Sequence, residues 1–458
     1  MNYDVVITNG LVVFDNEATK ADIAIKDGKF AAFGSNFTAD KTIDATDLIV
    51  VPGKVDSHVH INAPGGGVRD DWEGFVTATS AGAKGGITTM LQMPCNQIPA
   101  TTDGKSFEAV LKEADGKLKV DVGQTGGLEP QNLNGGICEQ DKQGVVNYKA
   151  FLGTTGDRDL QVDLYNCDDY SLYTGMQQIA KTGKILIMHC ENAPITDQLG
   201  KKAHQMGARK LSEFVATRPV FTEVEAIERA CLFAKETGCR IHIVHVSSPE
   251  GAQAVADARK NGVDVSCETC NHYLYFDTSE LDEIGNIAKC TPPIRDKENQ
   301  NGLWEKVFDG SINFIVSDHS PAPLSLKQTD DAFTAWGGIG SVQNDVDVFF
   351  DEAVQKRGMS LTQFVALNSS NSAKRFDLKG KGSIRLGYDA DLAFIKPNAP
   401  YVLKAEDLEY RNRFSPYVGR TIGCQVVRTL LRGEEIYSKE NGVCEDFKGK
   451  FILHPAKD

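Results

Sequence analysis

Histidine is scarce in this sequence, and long apolar runs are absent from it. Only nine histidines occur in 458 residues, and no stretch of 18 apolar residues is found, so we predict no membrane-spanning helix. The first ten residues, MNYDVVITNG, lack the basic and apolar regions of a secretory signal, so we expect a cytoplasmic protein. Hydrophobic residues make up 41% of the chain, which is too many for a disordered protein.

The charge balance and the cysteines exclude two further classes. The chain carries 49 basic and 63 acidic residues, a net charge of −14, which disfavours nonspecific binding to nucleic acid. Eleven cysteines, an odd number without a disulfide-framework spacing, indicate reduced thiols. Cys267 and Cys270 form a single CxxC, which is weak evidence for zinc without a second pair. We favour two ordinary thiols near the end of a buried strand.

Both ends of the chain have the pattern of short β-strands. Residues 22–34, DIAIKDGKFAAFG, contain two short runs joined by Asp27-Gly28, which is a strong β-hairpin signal. Residues 390–397 and 425–437 show similar short apolar runs broken by glycine and charged turns. We therefore expect a small β-sandwich domain that is built from residues 1–52 and 383–458.

The middle of the chain, residues 53–382, alternates apolar strands with amphipathic helices such as 72–85 and 222–238, the second of which ends at Gly238 as a helix C-cap does. This alternation predicts a parallel sheet, and eight strands fit an α/β fold of the (β/α)8 TIM-barrel type. An open doubly wound sheet is the alternative, although no G-x-G-x-x-G follows the first strand. The predicted strands are 54–60, 86–94, 119–127, 145–153, 184–190, 240–248, 264–273 and 313–321.

Side chains that bind metals stand at the ends of four predicted strands. His58 and His60 lie two residues apart at the end of the first, so their rings share one face. His189, His245 and Asp318 end the fifth, sixth and eighth strands. Because the carboxyl ends of barrel strands meet at one mouth, we expect these five side chains to lie together. Imidazole and carboxylate suit Zn²⁺, and also accept Co²⁺, Mn²⁺ or Ni²⁺.

Lys149 belongs to the fourth predicted strand, which brings it to the same mouth. An ammonium beside metal cations in a partly dry site is electrostatically disfavoured. Reaction of the amine with CO₂ would replace it with a carbamate, which is an anionic bridge with two oxygens. We therefore predict two divalent metal ions bridged by N6-carboxylated Lys149, with an ordinary surface lysine as the alternative.

This set of HVH, Lys, two His and Asp resembles that of the cyclic amidohydrolases of the amidohydrolase superfamily. The similarity covers nearly the whole chain, including the segments 84–103, 190–200, 218–230, 245–251, 289–300, 317–321, 352–361, 382–392 and 415–423. It implies a binuclear metal barrel whose small-molecule substrate is allantoin, and whose reaction opens the hydantoin ring to allantoate in purine catabolism. Relatives of this kind are commonly homotetramers, so the resemblance implies that state as well.

The resemblance also suggests a role for each residue. His58 and His60 would hold one metal, His189 and His245 the other, and Lys149 both, while Asp318 would be a ligand and the proton-transferring catalytic residue. We expect substrate contacts at four positions, each of which also fits a simple turn or cap: Asn96, Thr154, Thr291 and Gly337.

Three other functions stay open at this point. A hydantoinase or dihydropyrimidinase acting on related cyclic ureides is the first, a non-enzymatic assembly relative the second, and a mononuclear deaminase the third. The chain has Asn62 where dihydroorotases carry Arg and Thr154 where dihydropyrimidinases carry Tyr. His242 is expected to face away from His245, because three residues separate them on one strand.

Overall fold

Eight parallel strands, adjacent in chain order, form the central sheet of the computed structural model, which describes residues 2–157 and 159–456. A parallel bridge between Val59 and His319 joins the two ends of this sheet, so the strands curve into a nearly closed barrel. The prediction of a (β/α)8 barrel is confirmed. The strands are β1 (Lys54–Val59), β2 (Ile87–Gln92), β3 (Asp121–Gly127), β4 (Asn147–Phe151), β5 (Ile185–His189), β6 (Arg240–Ile243), β7 (Val265–Cys270) and β8 (Phe314–Val316).

Helices follow most of the barrel strands. The predicted helices 72–85 and 222–238 are Phe75–Lys84 and Val220–Thr237, and Gly238 ends the second with a φ of 68°, a left-handed conformation that glycine adopts freely. The other α-helices are Gly104–Ala114, Gly136–Gln143, Asp169–Thr182, Ala193–Gln205, Leu211–Ala216, Pro249–Lys260, Asn271–Tyr275, Leu281–Ile284, Lys297–Phe308, Asp345–Phe349, Leu361–Val365 and Asn371–Arg375, with π-helical turns at Phe350–Gln355 and Ala366–Ser370. Residues 271–273, predicted as strand, are helical.

Two smaller sheets carry the β-rich ends of the chain. Four strands form the first: Tyr3–Thr8, Asp22–Lys26, Lys29–Gly34 and Ala39–Asp44. Seven strands from both termini form the second: Leu11–Val13, Ala18–Lys20, Ile49–Pro52, Leu392–Lys396, Gln425–Leu431, Glu434–Ser438 and Gly442–Val443. A separate apolar core lies between them, with Ile7 and Phe394 among its buried residues. The domain boundaries at 52 and 383 stay a prediction.

The predicted hairpin at Asp27-Gly28 is confirmed, and it illustrates the local chemistry of these sheets. Lys26 pairs with Lys29 across the turn. Asp27 and Gly28 have φ values of 51° and 74°. Two consecutive left-handed residues match the right-handed twist of the strands that they connect, which is why an Asp-Gly pair favours this turn.

The start of β3 is tied to the C-terminal part of the chain. Asp121 Oδ2 lies 2.5 Å from Lys381 Nζ and 2.6 Å from Arg432 Nη1, and its other oxygen accepts a hydrogen bond from Lys450 N across 329 residues of sequence. A last short strand, Phe451–Ile452, pairs in parallel with β3. These contacts lie at the amino end of the barrel. They therefore do not cover the opposite end, where the carboxyl ends of the strands carry the candidate site.

Two further sequence predictions concern membranes and thiols. In residues 2–157 and 159–456 no helix has both the length and the apolar content that crossing a bilayer requires. All eleven cysteines are free thiols. The two CxxC thiols face different neighbours, since Cys267 Sγ donates to Ser311 O while Cys270 lies near His272 and Asp318.

Candidate active site

Five of the six predicted ligands form one buried cluster at the mouth of the barrel. Asp318 Oδ1 lies 3.2 Å from His58 Nε2 and 3.3 Å from His60 Nε2. On the other side, His189 Nδ1 lies 3.1 Å from His245 Nε2. The rings of His58 and His245 join the two pairs, with centroids 5.4 Å apart. Side chains that are separated by up to 260 residues in the sequence therefore meet in one small volume.

Lys149 completes the set from β4. Its side chain is fully buried, and its Nζ has no hydrogen-bond partner among the described residues. The amine lies 4.9 Å from the centre of the Phe151 ring, which stacks on His189. Burial lowers the pKa of Lys149, because the charged form loses its hydration. A buried amine without a partner, next to a histidine cluster, is the arrangement that carboxylation requires.

Unusual backbone conformations place two of these side chains. His245 and Asp318 have φ values of 40° and 44°, and each stands two residues beyond the end of its strand. Left-handed backbone is uncommon for residues other than glycine and is concentrated at functional sites. The sharp bends after β6 and after β8 bring both side chains to His58 and His60 at the end of β1.

The cluster fits divalent metal ions. His58 Nε2 and His245 Nδ1 are buried without hydrogen-bond partners among the described residues, whereas buried polar atoms are normally paired. Burial lowers the pKa of both rings well below its usual value, so they are neutral imidazoles, which is the form that binds metals. Burial also opposes charge on His60, but Cys95 and Asp318 raise its pKa to about 9, so a metal would displace a proton there.

Glu268, on β7, is a residue that sequence reasoning missed. Its Oε1 lies 2.6 Å from His58 Nδ1, and its Oε2 lies 3.0 Å from His242 Nε2. A carboxylate that accepts from Nδ1 fixes the tautomer in which Nε2 of His58 is free to face a metal. The available signal was a single charged residue inside the buried strand Val265–Cys270.

The expectation that His242 faces away from the site is wrong. Its ring shares a carboxylate with His58 and stacks on Phe314 with centroids 4.7 Å apart. The alternation argument failed because β6 ends at Ile243 and the chain bends sharply at His245. Residues on either side of such a bend do not keep the two-residue period of a strand.

Glu191 plays the corresponding part for the second pair of histidines and was also missed. Its Oε2 lies 2.8 Å from His189 Nε2 and accepts a hydrogen bond of 2.8 Å from Arg218 Nη1. Burial alone would raise its pKa, but Arg218 and His189 lower the pKa of Glu191 to about 2, so it is a carboxylate. The contact leaves Nδ1 of His189 directed at His245.

Replacing Glu268 by Gln is expected to weaken metal binding. A glutamine of the same size would present an amide donor to one of the two histidine N–H groups, so the ring of His58 would lose its fixed orientation. We expect the metal dissociation constant to rise by about tenfold or more. Chelator titration with elemental analysis measures it, with Glu298→Gln at an exposed position of the helix Lys297–Phe308 as the matched control. An unchanged dissociation constant would contradict the role of Glu268.

The predicted substrate residues lie in different surroundings. Asn96 Nδ2 lies 3.4 Å from His60 Nδ1, and Gly337 borders open space. Thr154 is exposed and donates to Asp197 Oδ2 at 2.6 Å, and Thr291 is half-buried beside Pro292, whose carbonyl accepts from Tyr273. In the part of the chain that the structure describes, no hydrogen bond joins Thr154 or Thr291 to the six ligands. All four substrate contacts stay predictions.

Comparison with known proteins agrees with this geometry. The amidohydrolase family matches residues 49–436. Relatives named allantoinase include one from Enterococcus faecalis, 59% identical over 99% of this chain and 100% of its own length, and one from Bacillus licheniformis, 56% identical over 99% and 100%. Among solved structures, the L-hydantoinase (dihydropyrimidinase) from Arthrobacter aurescens covers 98% of this chain and 100% of its own, with a TM-score of 0.94 and 32% identity. The chain therefore belongs to the amidohydrolase family, as its resemblance to the cyclic-amide branch predicted.

Proposed function

We propose that this protein is an enzyme that hydrolyses the cyclic amide of allantoin and opens the hydantoin ring to allantoate. The observation that carries the proposal is the single buried cluster of His58, His60, His189, His245, Asp318 and Lys149 at the barrel mouth. Several relatives that are 52–59% identical over 99–100% of their own length are named allantoinase. Family, fold and donor set therefore support one reaction class, the hydrolysis of a C–N bond in a cyclic amide.

The metal part of the proposal assigns two divalent ions, with zinc as the first choice. His58 and His60 would hold one ion, His189 and His245 the other, and Lys149 and Asp318 would complete the set. Carboxylation joins the Nζ of Lys149 to the carbon of CO₂ and releases one proton, which leaves a carbamate anion. When bound, the two ions would polarise the scissile carbonyl and lower the pKa of water.

The protein groups then perform the proton transfer. Asp318 Oδ1 sits between the two β1 histidines, so it lies beside the point where a water molecule would attack the ring carbonyl. The carboxylate accepts the proton of that water and returns it to the ring nitrogen as the C–N bond breaks. Glu268 and Glu191 hold the imidazoles in place and exclude alternative ring orientations.

A hydantoinase is the second candidate, favoured by the likeness to the Arthrobacter L-hydantoinase. Thr154 distinguishes the two candidates, because its hydroxyl lies on the loop after β4 that would face a ureido group on the ring. A non-enzymatic assembly role is disfavoured because all six ligands are present. A mononuclear deaminase is disfavoured because it would leave Lys149 without a role.

A substrate panel separates these candidates. We expect allantoin to be hydrolysed with a kcat/KM at least about tenfold above that for hydantoin or dihydrouracil, since a site that hydrogen-bonds the ureido group penalises ligands that lack it. Turnover and metal content are measured on the same preparation. Faster hydrolysis of hydantoin or dihydrouracil would overturn the assignment in favour of the second candidate. The predicted homotetramer and cytoplasmic location stay predictions, and light scattering tests the first.

A further inference from the structure

The segment 335–338 lies in the long connection after β8, and six of its eight main-chain N–H and C=O groups form hydrogen bonds. Trp336 N donates to Leu326 O at 2.9 Å, and Gly338 N donates to Lys289 O at 2.8 Å. A side chain on Gly338 would come within 2.3 Å of Ser320 O, and Ser320 N donates to Ile339 O. The segment therefore runs directly beside the strand end that carries Asp318.

Two buried lysines hold the carbonyls of this segment. Lys327 Nζ donates to Trp336 O at 3.1 Å and to Gly338 O at 2.6 Å, and a third bond goes to Asn286 O at 3.2 Å. Lys289 Nζ donates to Ala335 O at 2.5 Å. Neither lysine forms an ion pair with any described residue, although both are less than a tenth exposed. Burying a lysine without a counter-ion is costly, and burial lowers the pKa of Lys327 to about 7 and that of Lys289 to about 8, so these contacts need an explanation beyond ordinary loop packing.

Gly337 is the exception within the segment. Among residues 335–338, all of which the structure describes, it alone has neither its N–H nor its C=O in a hydrogen bond. A side chain built at this position would meet no atom within 4 Å, so the backbone borders open space. Each of the two peptide groups that flank the Gly337 Cα therefore has one hydrogen-bonded atom, Trp336 O in the first and Gly338 N in the second. The atoms that belong to Gly337 itself, its N and O, form no hydrogen bond.

The hydrogen bonds of Trp336 O and Gly338 N make the N–H and C=O of Gly337 a stronger donor and a stronger acceptor. The Trp336 carbonyl that Lys327 holds belongs to the same peptide group as the Gly337 N–H, and the Gly338 N–H that donates to Lys289 O belongs to the same group as the Gly337 carbonyl. Hydrogen bonding at one end of a peptide group polarises the other end. Gly337 is thus left with a strengthened donor and a strengthened acceptor, which complement the C=O and N–H of a cyclic amide.

We propose that Lys327 and Lys289 are positioning residues that hold the main-chain N–H and C=O of Gly337 open as the recognition pair for the substrate ring. This inference rests on the proposed hydrolysis of allantoin. The lysines touch no reacting atom and act only through the backbone of residues 335–338. Their loss should therefore change substrate binding more than the chemical step.

The test is Lys327→Met, compared with Lys119→Met. Lys119 is an equally buried lysine that also donates to three main-chain carbonyls, those of Cys444, Glu445 and Asp446, at the amino end of the barrel. We expect K327M to raise the KM for allantoin about tenfold with kcat within about threefold and an unchanged metal content, whereas K119M keeps the wild-type KM. A KM within twofold of wild type in K327M, or an equal rise in K119M, would overturn the inference.

A measurement on the unmodified protein guards against a variant that does not fold. Hydrogen exchange of the Gly337 amide is followed with and without saturating hydantoin. We expect at least about tenfold slower exchange in the complex, and no slowing would overturn the inference. Allantoin turnover by the wild-type protein is measured first: its absence defeats the proposed function, whereas turnover together with a negative result here defeats only the role of the two lysines.

Discussion

Asp318→Asn is expected to lower kcat for allantoin by about a thousandfold, within the range that a positioned acid–base group contributes. The amide occupies the same space beside His58 and His60, so substrate binding should remain close to that of the wild type. The amide oxygen cannot take the proton of the attacking water at neutral pH, and the leaving ring nitrogen then receives none. Steady-state kinetics gives kcat and KM separately.

The control for this variant is Asp309→Asn, an exposed aspartate at the end of the helix Lys297–Phe308, which should retain wild-type kinetics. Metal content is measured on both proteins, because Asp318 is also a predicted ligand. A kcat within tenfold of the wild type, with full metal content, would remove Asp318 from the proton-transfer role. A loss of activity that follows the loss of metal in proportion would contradict that role too, since a ligand alone would then account for it.

Lys149→Ala is expected to reduce the metal content well below two per chain and to lower turnover by at least about a thousandfold. The reason is the position of the amine, which is fully buried 4.9 Å from the Phe151 ring that stacks on His189, and which has no hydrogen-bond partner among the described residues. Without a carbamate, Asp318 would be the one carboxylate among the predicted ligands of two divalent ions. Elemental analysis and allantoin turnover measure both effects.

Short carboxylic acids provide the decisive comparison for this variant. Acetate or formate can enter the space left by the side chain and supply two oxygens, so both metal content and turnover should recover in part with their concentration. Lys181→Ala, at an exposed position of the helix Asp169–Thr182, should need no such addition. Two metals per chain in Lys149→Ala without added acid would contradict the bridging role.

The barrel could be predicted from the sequence because its signal is local. The strands are short buried segments of three to seven residues that alternate with helices, and the sheet topology follows from that alternation. The ligands could be predicted for the same reason, since strand ends converge in a barrel whatever the details of packing. The position at the end of a predicted strand was enough to identify His58, His60 and His189 as candidate ligands.

The remaining contacts depend on three-dimensional packing, which a period along the chain does not record. Glu268 meets His58 and His242 across the barrel interior, and nothing adjacent in sequence links the three. Lys289 and Lys327 resemble surface lysines in their local sequence, yet both lie buried under a loop that begins eight or more residues away. The bend at His245 broke the alternation on which the placement of His242 depended.

The attachment of the last strand to β3 bears on how the chain reaches its native state during synthesis. All six predicted metal ligands have been synthesised once the chain reaches residue 318, but the partner of Val122 is Phe451, which is synthesised much later. The sheet made from both ends of the chain also needs strands that are synthesised late, within residues 392–443. Contacts between such distant parts of a chain form slowly and leave apolar surface exposed meanwhile. The strand pairing at the amino end of the barrel can therefore form only after the C-terminal residues have been synthesised.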